Sequence, residues 1–233
     1  MSGATPNHPR IRQVRSFEEL VRTPFADGVN ALCWERTLPG DYTEVIAKLD
    51  AGRGIVALDE DELQSLELSV EGRRAVDAML TDLRLLRAHD LDPTLNVIHD
   101  CVRPPDAGLV PTDVMSFHVD SAPVEVDTWL CTYHGAVSEG LPNEDAVRKV
   151  DLPGIRAALL ADYGGADDAD FAEHLREHCY DLHYVPKPHA RPYAFGRFNL
   201  WRIATQWPGS PVPPCIHRAP ENRPGEPRLL LIS

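Results

Sequence analysis

Phe117-His118-Val119-Asp120 is the stretch that decides between the folds open to this chain. Apolar and polar side chains alternate in it, which is typical of a strand with one buried face. Residues two apart on a strand point to the same face, so His118 and Asp120 can offer an imidazole nitrogen and a carboxylate oxygen to one metal ion. A third candidate ligand, His217, ends the late apolar segment Cys215-Ile216-His217.

The apolar pattern around this motif predicts a β core with helices before it and within it. Strand-like runs occupy residues 29–34, 55–58, 95–102, 113–119, 124–133, 192–205, 215–217 and 228–232. Helical periodicity occupies residues 41–49, 60–90 with a break near Gly72, 152–163 and 167–181. The last two helices fall in a stretch, about residues 143–191, that is typical of an insertion into the β core.

Strands that are interrupted by helices and then resume can form either a sandwich or a small closed barrel. The ligands favour the barrel, because early and late strands lie side by side in it and would bring His118 and His217 together. We predict one domain at residues 28–233. Residues 1–27, rich in Pro and Arg, are predicted to form a flexible N-terminal arm.

The composition argues against two classes of partner. A formal net charge of −13 repels a phosphate backbone, and no basic stripe with interleaved aromatic residues is present, so nucleic acid is not an expected partner. No apolar run is long enough to span a bilayer, which argues against a membrane partner. A small-molecule substrate is the partner we expect.

The cysteines and the N-terminus indicate the compartment. The five cysteines are odd in number, scattered and without a Cys-x-x-Cys pair, which fits reduced and mostly buried thiols. The polar segment 1–15 lacks the apolar centre of a signal peptide. We therefore expect a soluble cytoplasmic protein.

The candidate ligands fit a specific chemical template. Two histidines and one carboxylate leave three positions open on non-haem Fe(II), which must bind a co-substrate and O₂ together. Arg228, eleven residues after His217, is suited to holding the far carboxylate of a dicarboxylate co-substrate. Tyr133 can add a phenol hydrogen bond there, or it is a buried structural tyrosine. From spacing alone, ordinary core histidines and a surface salt bridge are about as well supported as this template.

Other polar residues offer weaker candidates. His134 and Glu139 lie in the segment that leaves the predicted barrel near the metal, where they are candidate substrate contacts. His183 and His189 flank a Pro-rich loop, which is either a lid or an ordinary polar loop.

A rival motif, His174-Leu175-Arg176-Glu177-His178, matches the H-x-x-E-H pattern of inverted zinc proteases. Too little chain follows for the downstream acidic ligand of such proteases. The segment is also rich in charged residues, as a solvated helix face would be, and we favour that interpretation.

Several segments together resemble a bacterial family catalogued only as domain of unknown function 1826, from about residue 28 to the C-terminus. The segments that carry the resemblance are Val29-Asn30-Ala31-Leu32-Cys33-Trp34-Glu35-Arg36, Phe117-His118-Val119-Asp120, Leu130-Cys131-Thr132-Tyr133-His134-Gly135, Leu141-Pro142-Asn143-Glu144-Asp145, His217-Arg218-Ala219-Pro220 and Arg228-Leu229-Leu230-Leu231. The same landmarks are similar to those of the wider Fe(II)/2-oxoglutarate-dependent oxygenases, whose double-stranded β-helix carries His-x-Asp early and a histidine and an arginine late.

The resemblance implies a mainly β fold with helical additions (α+β). Its core would be a double-stranded β-helix of the jelly-roll, cupin-like kind, with N-terminal helices and the helical insertion. It implies His118, Asp120 and His217 as iron ligands and Arg228 as the 2-oxoglutarate anchor. One position departs from the pattern: Leu230 stands where some oxygenases have serine two residues after the arginine.

The expected function is therefore that of an Fe(II)- and 2-oxoglutarate-dependent dioxygenase, an oxidoreductase that oxidises a small molecule, by hydroxylation in the simplest case. The alternative is a cupin-like metal-binding protein without redox turnover, which needs the triad and has no use for Arg228. A zinc hydrolase built on His174 and His178 is the third hypothesis.

Overall fold

The computed structural model of the chain describes residues 7–49, 52–99, 103, 108–221 and 225–233. The α-helices in these residues are α1 (Phe17–Arg22), α2 (Tyr42–Lys48), α3 (Glu60–Ser65), α4 (Val70–Arg87), α5 (Pro153–Tyr163) and α6 (Ala169–Glu177). The strands are β1 (Ile11–Val14), β2 (Ala31–Trp34), β3 (Gly54–Ala57), β4 (Thr94–His99), β5 (Asp127–His134), β6 (Glu139–Leu141), β7 (Ala146–Arg148), β8 (Tyr184–Pro186), β9 (Tyr193–Ala194), β10 (Leu200–Ala204), β11 (Ile216–Arg218) and β12 (Arg228–Ile232). The fold is α+β, as predicted.

A large mixed sheet forms the centre of the molecule. Its seven strands lie in the order β1-β2-β10-β5-β12-β4-β3, with β1 parallel to β2 and the other pairs antiparallel. The predicted closed barrel is wrong for the described residues. β1 and β3 end the sheet on its two sides, so these strands do not close on themselves.

The N-terminal helices cover one face of the large sheet. α4 supplies most of this layer, because apolar residues recur every three or four positions along it and are buried. These residues are Val76, Met79, Leu80, Leu83 and Leu86. They pack with the side chains of β5 that point to the helices, Trp129, Cys131 and Tyr133. Asp82 of α4 is also buried there and forms an ion pair with Arg36.

The break in the predicted 60–90 helix lies at residues 66–69, earlier than expected, because Ser69 caps a new helix. Its hydroxyl accepts a hydrogen bond from the backbone N–H of Gly72, which therefore lies inside the first turn of α4.

The described part of the predicted N-terminal arm, residues 7–27, is packed onto the sheet, and the prediction of a flexible arm is wrong for these residues. β1 pairs with β2 from Ile11 to Val14. Phe17 and Leu20 of α1 are buried in the core between helices and sheet. Two apolar side chains three positions apart are missed easily in a short segment, yet their burial fixes it to the domain.

A small sheet faces the other side of the large sheet. It contains β11, β6 and β9 in that order. His118 extends it through isolated antiparallel bridges to His217 on one side and His183 on the other. Between the sheets, Leu130, Trp201 and Leu230 of the large sheet pack with Phe195 and Cys215. This second apolar core holds the two sheets together.

The insertion at residues 143–191 contains α5, α6 and a two-stranded antiparallel sheet formed by β7 and β8. It covers the outer face of the small sheet, where Phe117, Val119, Leu141 and Ile216 are buried against it. The structure therefore confirms helices in this segment and adds a two-stranded sheet that the sequence pattern did not predict.

The cysteine prediction holds for most of the described thiols. Cys33, Cys131 and Cys215 are buried, while Cys179 is exposed. Cys101 and the end of the predicted 95–102 strand lie outside the described residues. None of the helices in the described residues is both long and apolar enough to cross a membrane.

Candidate metal centre

His118, Asp120 and His217 meet between the two sheets. One candidate ligand atom from each of the three side chains lies within 4.8 Å of the other two. His118 Nε2 is 3.7 Å from Asp120 Oδ1, and His217 Nε2 is 3.6 Å from Asp120 Oδ2. A single ion can contact all three side chains from such a spacing after small rotamer adjustments.

Backbone pairing brings the two histidines together across a hundred residues of chain. His118 and His217 exchange both backbone N–H to C=O hydrogen bonds at 2.9 Å, so their side chains lie on the same face of the small sheet. The two rings are 4.6 Å apart between centroids. The predicted pairing of an early and a late strand is confirmed.

Both imidazoles are oriented by backbone carbonyls. His118 Nδ1 lies 2.8 Å from the carbonyl oxygen of Ser116, and His217 Nδ1 lies 3.3 Å from that of Cys215. A carbonyl can only accept, so each Nδ1 carries the proton and donates it. Nε2 of each ring then keeps its lone pair and faces the carboxylate, as in metal sites whose histidines are fixed by a second hydrogen bond.

Asp120 is oriented by Thr128 of β5. The Thr128 hydroxyl donates to Asp120 Oδ2, a contact that crosses from the large sheet to the small one. The backbone carbonyl of Asp120 also accepts a 2.7 Å hydrogen bond from Gln206 N–H. These contacts hold the carboxylate beside the two imidazoles.

Burial keeps His217 neutral. Desolvation lowers the pKa of His217 to about 4, although the Asp120 carboxylate acts in the opposite direction. A neutral imidazole at physiological pH is the form that binds a metal.

Arg228 lies in the same space and is 2% exposed. One of its terminal nitrogens donates to Ser138 Oγ at 2.6 Å and to Thr132 Oγ1 at 3.2 Å. Its Nε is buried without an acceptor, and no carboxylate of the described residues forms an ion pair with it. Burial lowers its pKa to about 10. The guanidinium is thus a buried cation whose hydrogen-bonding capacity is only partly used.

A cavity of about 250 Å³ connects the triad with Arg228. The large sheet contributes Ile55, Asn96, Ile98, Thr128, Leu130, Arg228, Leu230 and Ile232 to its lining, and the opposite wall contributes Val114, His118, Asp120, Ser138, His217 and Ala219. The three predicted ligands and the predicted anchor therefore share one cavity. No family model, curated protein or solved structure matches this chain.

Tyr133 was predicted either to contact the co-substrate or to be a buried structural tyrosine, and its position fits the second role. Its side chain points to the opposite face of the large sheet, where the hydroxyl donates to Asp82 at 2.5 Å and the ring stacks on Tyr42. Alternation along β5 is the reason, since Thr128 and Thr132 face the cavity and odd-numbered neighbours face the helices. Tyr133 is a buried structural tyrosine.

The two speculative substrate contacts also lie outside the described lining of the cavity. Glu139 accepts from Arg218 at 2.6 Å, and both residues point away from His217 because they neighbour the Gly140 and His217 pair in register. His134 is half-buried at the end of β5, and desolvation lowers its pKa. The structure gives neither residue a contact with the triad.

The rival zinc motif lies on α6 and at its end. Phe171 and Leu175 bury one face of this helix, whereas Glu177 and His178 are exposed. Among the described residues, no third acidic, histidine or cysteine side chain joins His174 and His178 within ligand distance of one another. The geometry fits a solvated amphipathic helix.

His183 and His189, the two histidines that flank the Pro-rich loop, differ in burial. It is 5% exposed, and its ring centroid lies 5.9 Å from that of His118. Its Nδ1 donates to the carbonyl of Cys179 at 2.8 Å. His189 is exposed.

Two residues that orient the site were not predicted from the sequence. Thr128 orients Asp120, and Ser138 contacts Arg228. The alternation of β5 was the available signal for Thr128.

Proposed function

We propose that the chain is an Fe(II)- and 2-oxoglutarate-dependent oxygenase that oxidises a small molecule. The observation that carries this proposal is the shared cavity, in which a His/Asp/His group lies together with a buried arginine that has no acidic partner among the described residues. Ordinary core histidines would need no carboxylate between them, and a structural arginine would be paired with an acid.

The donor set fits Fe(II). Two neutral imidazoles and one carboxylate carry a single negative charge, and three ligands leave positions open for a co-substrate and O₂. His118, Asp120 and His217 would hold the ion. The carbonyl hydrogen bonds to both Nδ1 atoms and the Thr128 hydrogen bond to Asp120 would keep these side chains in place during turnover.

The surroundings of Arg228 fit a carboxylate ligand. A guanidinium can form two parallel hydrogen bonds with a carboxylate, and it pays a desolvation cost whether or not a partner is present. The Ser138 hydroxyl beside it offers a further polar contact. Leu230 closes this end of the cavity where some oxygenases carry serine, so Ser138 would take over the hydroxyl contact.

Strand order supports a jelly-roll core within this fold. Eight segments form the facing parts of the two sheets, and in chain order they are β4, the His118 segment, β5, β6, β9, β10, β11 and β12. The large sheet contains the first, eighth, third and sixth of them side by side, and the small sheet contains the second, seventh, fourth and fifth. Two facing sheets with this alternation are typical of a jelly roll, so we propose a jelly-roll core to which β1, β2 and β3 are added at the edges.

The residues of the cavity would divide the work of the reaction. Bound Fe(II) and 2-oxoglutarate would supply the oxidation, in which O₂ and the co-substrate give succinate, CO₂ and one oxygen atom inserted into a substrate C–H bond. His118, Asp120 and His217 would hold the ion at the wall of the cavity. Arg228 fixes the direction of the co-substrate, and the apolar walls exclude water from the reacting groups.

Anaerobic titration tests the proposal. Adding Fe(II) and then 2-oxoglutarate to the purified protein should produce the weak visible charge-transfer band of a chelated 2-oxo acid. His217→Ala should weaken metal binding and abolish the band. A folded wild-type protein that binds Fe(II) and gives no band would remove 2-oxoglutarate from the function.

The same titration separates the oxygenase from a cupin-like protein that only binds metal. Arg228→Met should retain Fe(II) and lose the band, because the change removes the carboxylate anchor and leaves the three ligands intact. A metal-handling protein would bind Fe(II) equally well in both forms and would give no band in either.

A further inference from the structure

We infer that the substrate presents an uncharged hydrocarbon group, an alkyl chain or an aliphatic ring, to the metal. This inference rests on the proposed function and names the substrate class of the same site. It is carried by the apolar rim of the cavity, which we define as Ile55, Val114 and Ile232.

The apolar rim is unusually exposed. Ile55 is 63% exposed, Val114 is 53% exposed and Ile232 is 40% exposed. Of the seven large apolar side chains that are exposed in the described residues, these three line this one cavity. Exposed apolar side chains are common singly, whereas a group of them at the mouth of a cavity marks a binding surface.

Position in the sheets explains the exposure. Ile55 lies on the edge strand β3 and neighbours Ile98 of β4, which in turn neighbours Arg228. The row from Ile55 through Ile98 to Arg228 therefore runs from solvent to the buried cation on one face of the large sheet. Val114 lies on the opposite wall. A ligand that enters here meets apolar side chains before it meets the metal ligands.

The polar groups of the described lining already have partners or roles. Thr128 donates to Asp120, Ser138 accepts from Arg228, and the Asn96 amide donates to the carbonyl of Thr94 at 3.3 Å. The triad would hold the metal, and Arg228 would hold the co-substrate. No charged side chain of the described lining is left for the substrate, so an anionic or cationic group entering the rim would lose its hydration without compensation.

The size of the cavity favours a small molecule over a second copy of the chain. With a volume of about 250 Å³, the cavity is small for a ligand pocket. It is too small to hold a segment of protein chain together with the water that the backbone of that segment would need. Pairing of two copies through the exposed edge of β3 is the competing occupant of the rim, and it predicts a dimer.

The neutral apolar dye N-phenyl-1-naphthylamine tests the inference, because its fluorescence rises in an apolar site. Ile55→Asp and Ile232→Asp should each weaken dye binding about tenfold, since an aliphatic contact that bound dye would cover is replaced by a charge. Val70→Asp is the matched control. Val70 is 70% exposed at the start of α4 and lies outside the described lining, so this variant should bind the dye as the wild type does.

Two further measurements distinguish a loss of the fold and a loss of the metal site from a loss of dye binding at the rim. Circular dichroism checks the fold of each variant. If Ile55→Asp is unstable, Ile55→Thr replaces it in the test, because threonine keeps a β-branched side chain. This milder change should weaken dye binding by a smaller factor. Co(II) bound at the triad should quench the bound dye in the wild type, whereas His217→Ala should bind the dye without quenching. Loss of quenching alone would count against the metal site and leave the substrate class standing.

Rim variants that bind the dye as tightly as Val70→Asp would overturn the inference. A dimer in size-exclusion chromatography that is broken by Ile55→Asp, with dye binding only to the monomer, would also overturn it, because the rim would then be an interface between copies.

Discussion

Replacing Arg228 by Met should remove co-substrate binding without destabilising the protein. Methionine has a similar length and no charge, so it fills the space of the side chain and leaves no cation behind. A buried arginine that stabilises a fold is normally paired with an acid, and breaking such a pair costs about 3–5 kcal/mol. Arg228 has no such partner among the described residues.

The expected change in stability follows from two opposing contributions. At pH 7 the guanidinium is charged in both the folded and the unfolded protein, so the full cost of burying it is present. A pKa lowered to about 10 by burial corresponds to a cost of about 3 kcal/mol. The hydrogen bonds to Thr132 and Ser138 offset about 1 kcal/mol each. Arg228→Met should therefore raise the free energy of unfolding by roughly 1 kcal/mol or leave it unchanged.

Urea unfolding in the presence of a chelator measures this quantity without a contribution from bound metal. The same variant, loaded with Fe(II) under anaerobic conditions, should bind 2-oxoglutarate at least about 30-fold more weakly. Arg228→Lys keeps the charge and loses the forked geometry of the guanidinium. Its affinity for 2-oxoglutarate should therefore lie between those of the wild type and of Arg228→Met. A loss of more than about 2 kcal/mol of stability in Arg228→Met would refute the reasoning, because the guanidinium would then be a structural group.

Three further predictions concern the residues around the site. Thr128→Val should weaken Co(II) binding about 10- to 100-fold in a spectroscopic titration, because the aspartate of the triad loses the hydroxyl that orients it. Tyr133→Phe should leave metal and co-substrate binding unchanged and lower the free energy of unfolding by about 1–3 kcal/mol, since the buried Asp82 loses a donor. Removing both His174 and His178 should leave the amount of bound metal unchanged in elemental analysis of purified protein.

Each of these has a control or an outcome against it. Thr81 lies on the exposed side of α4 and donates to the carbonyl of Asp77, so Thr81→Val should not alter metal binding. Weaker 2-oxoglutarate binding in Tyr133→Phe would mean that the tyrosine acts at the cavity after all. Loss of metal from the double histidine variant would move the metal site to α6.

The residues of the candidate metal centre were predictable because backbone periodicity and side-chain chemistry agree at these positions. His118 and Asp120 are two residues apart on an extended segment, and His217 ends an apolar run. Nothing local in the sequence fixes which strands pair, so the partnership of His118 with His217 was inferred from a barrel in which early and late strands lie side by side. The backbone pairing of the two histidines confirms the partnership, although the strands do not close into a barrel.

The position of Tyr133 along β5 decides between a co-substrate contact and a structural role, whereas the chemistry of its hydroxyl is compatible with both. Thr128 and Thr132 share one face of β5, and Trp129, Cys131 and Tyr133 share the other. A strict reading of the two-residue period separates Tyr133 from Thr128. The closed barrel was wrong for a different reason, since the added strands β1 and β3 extend the sheet beyond the cavity and their pairing depends on contacts between distant segments.

The number of imidazoles bound to the metal tests the central claim most directly. X-ray absorption of the anaerobic Fe(II) protein should give one iron per chain with two imidazole ligands in the wild type. His217→Ala should bind iron more weakly and show one imidazole, and Ala in place of His189, an exposed histidine, should leave two. A wild-type protein that binds no iron, or an unchanged ligand set in His217→Ala, would contradict the assignment of His118, Asp120 and His217 as the metal centre.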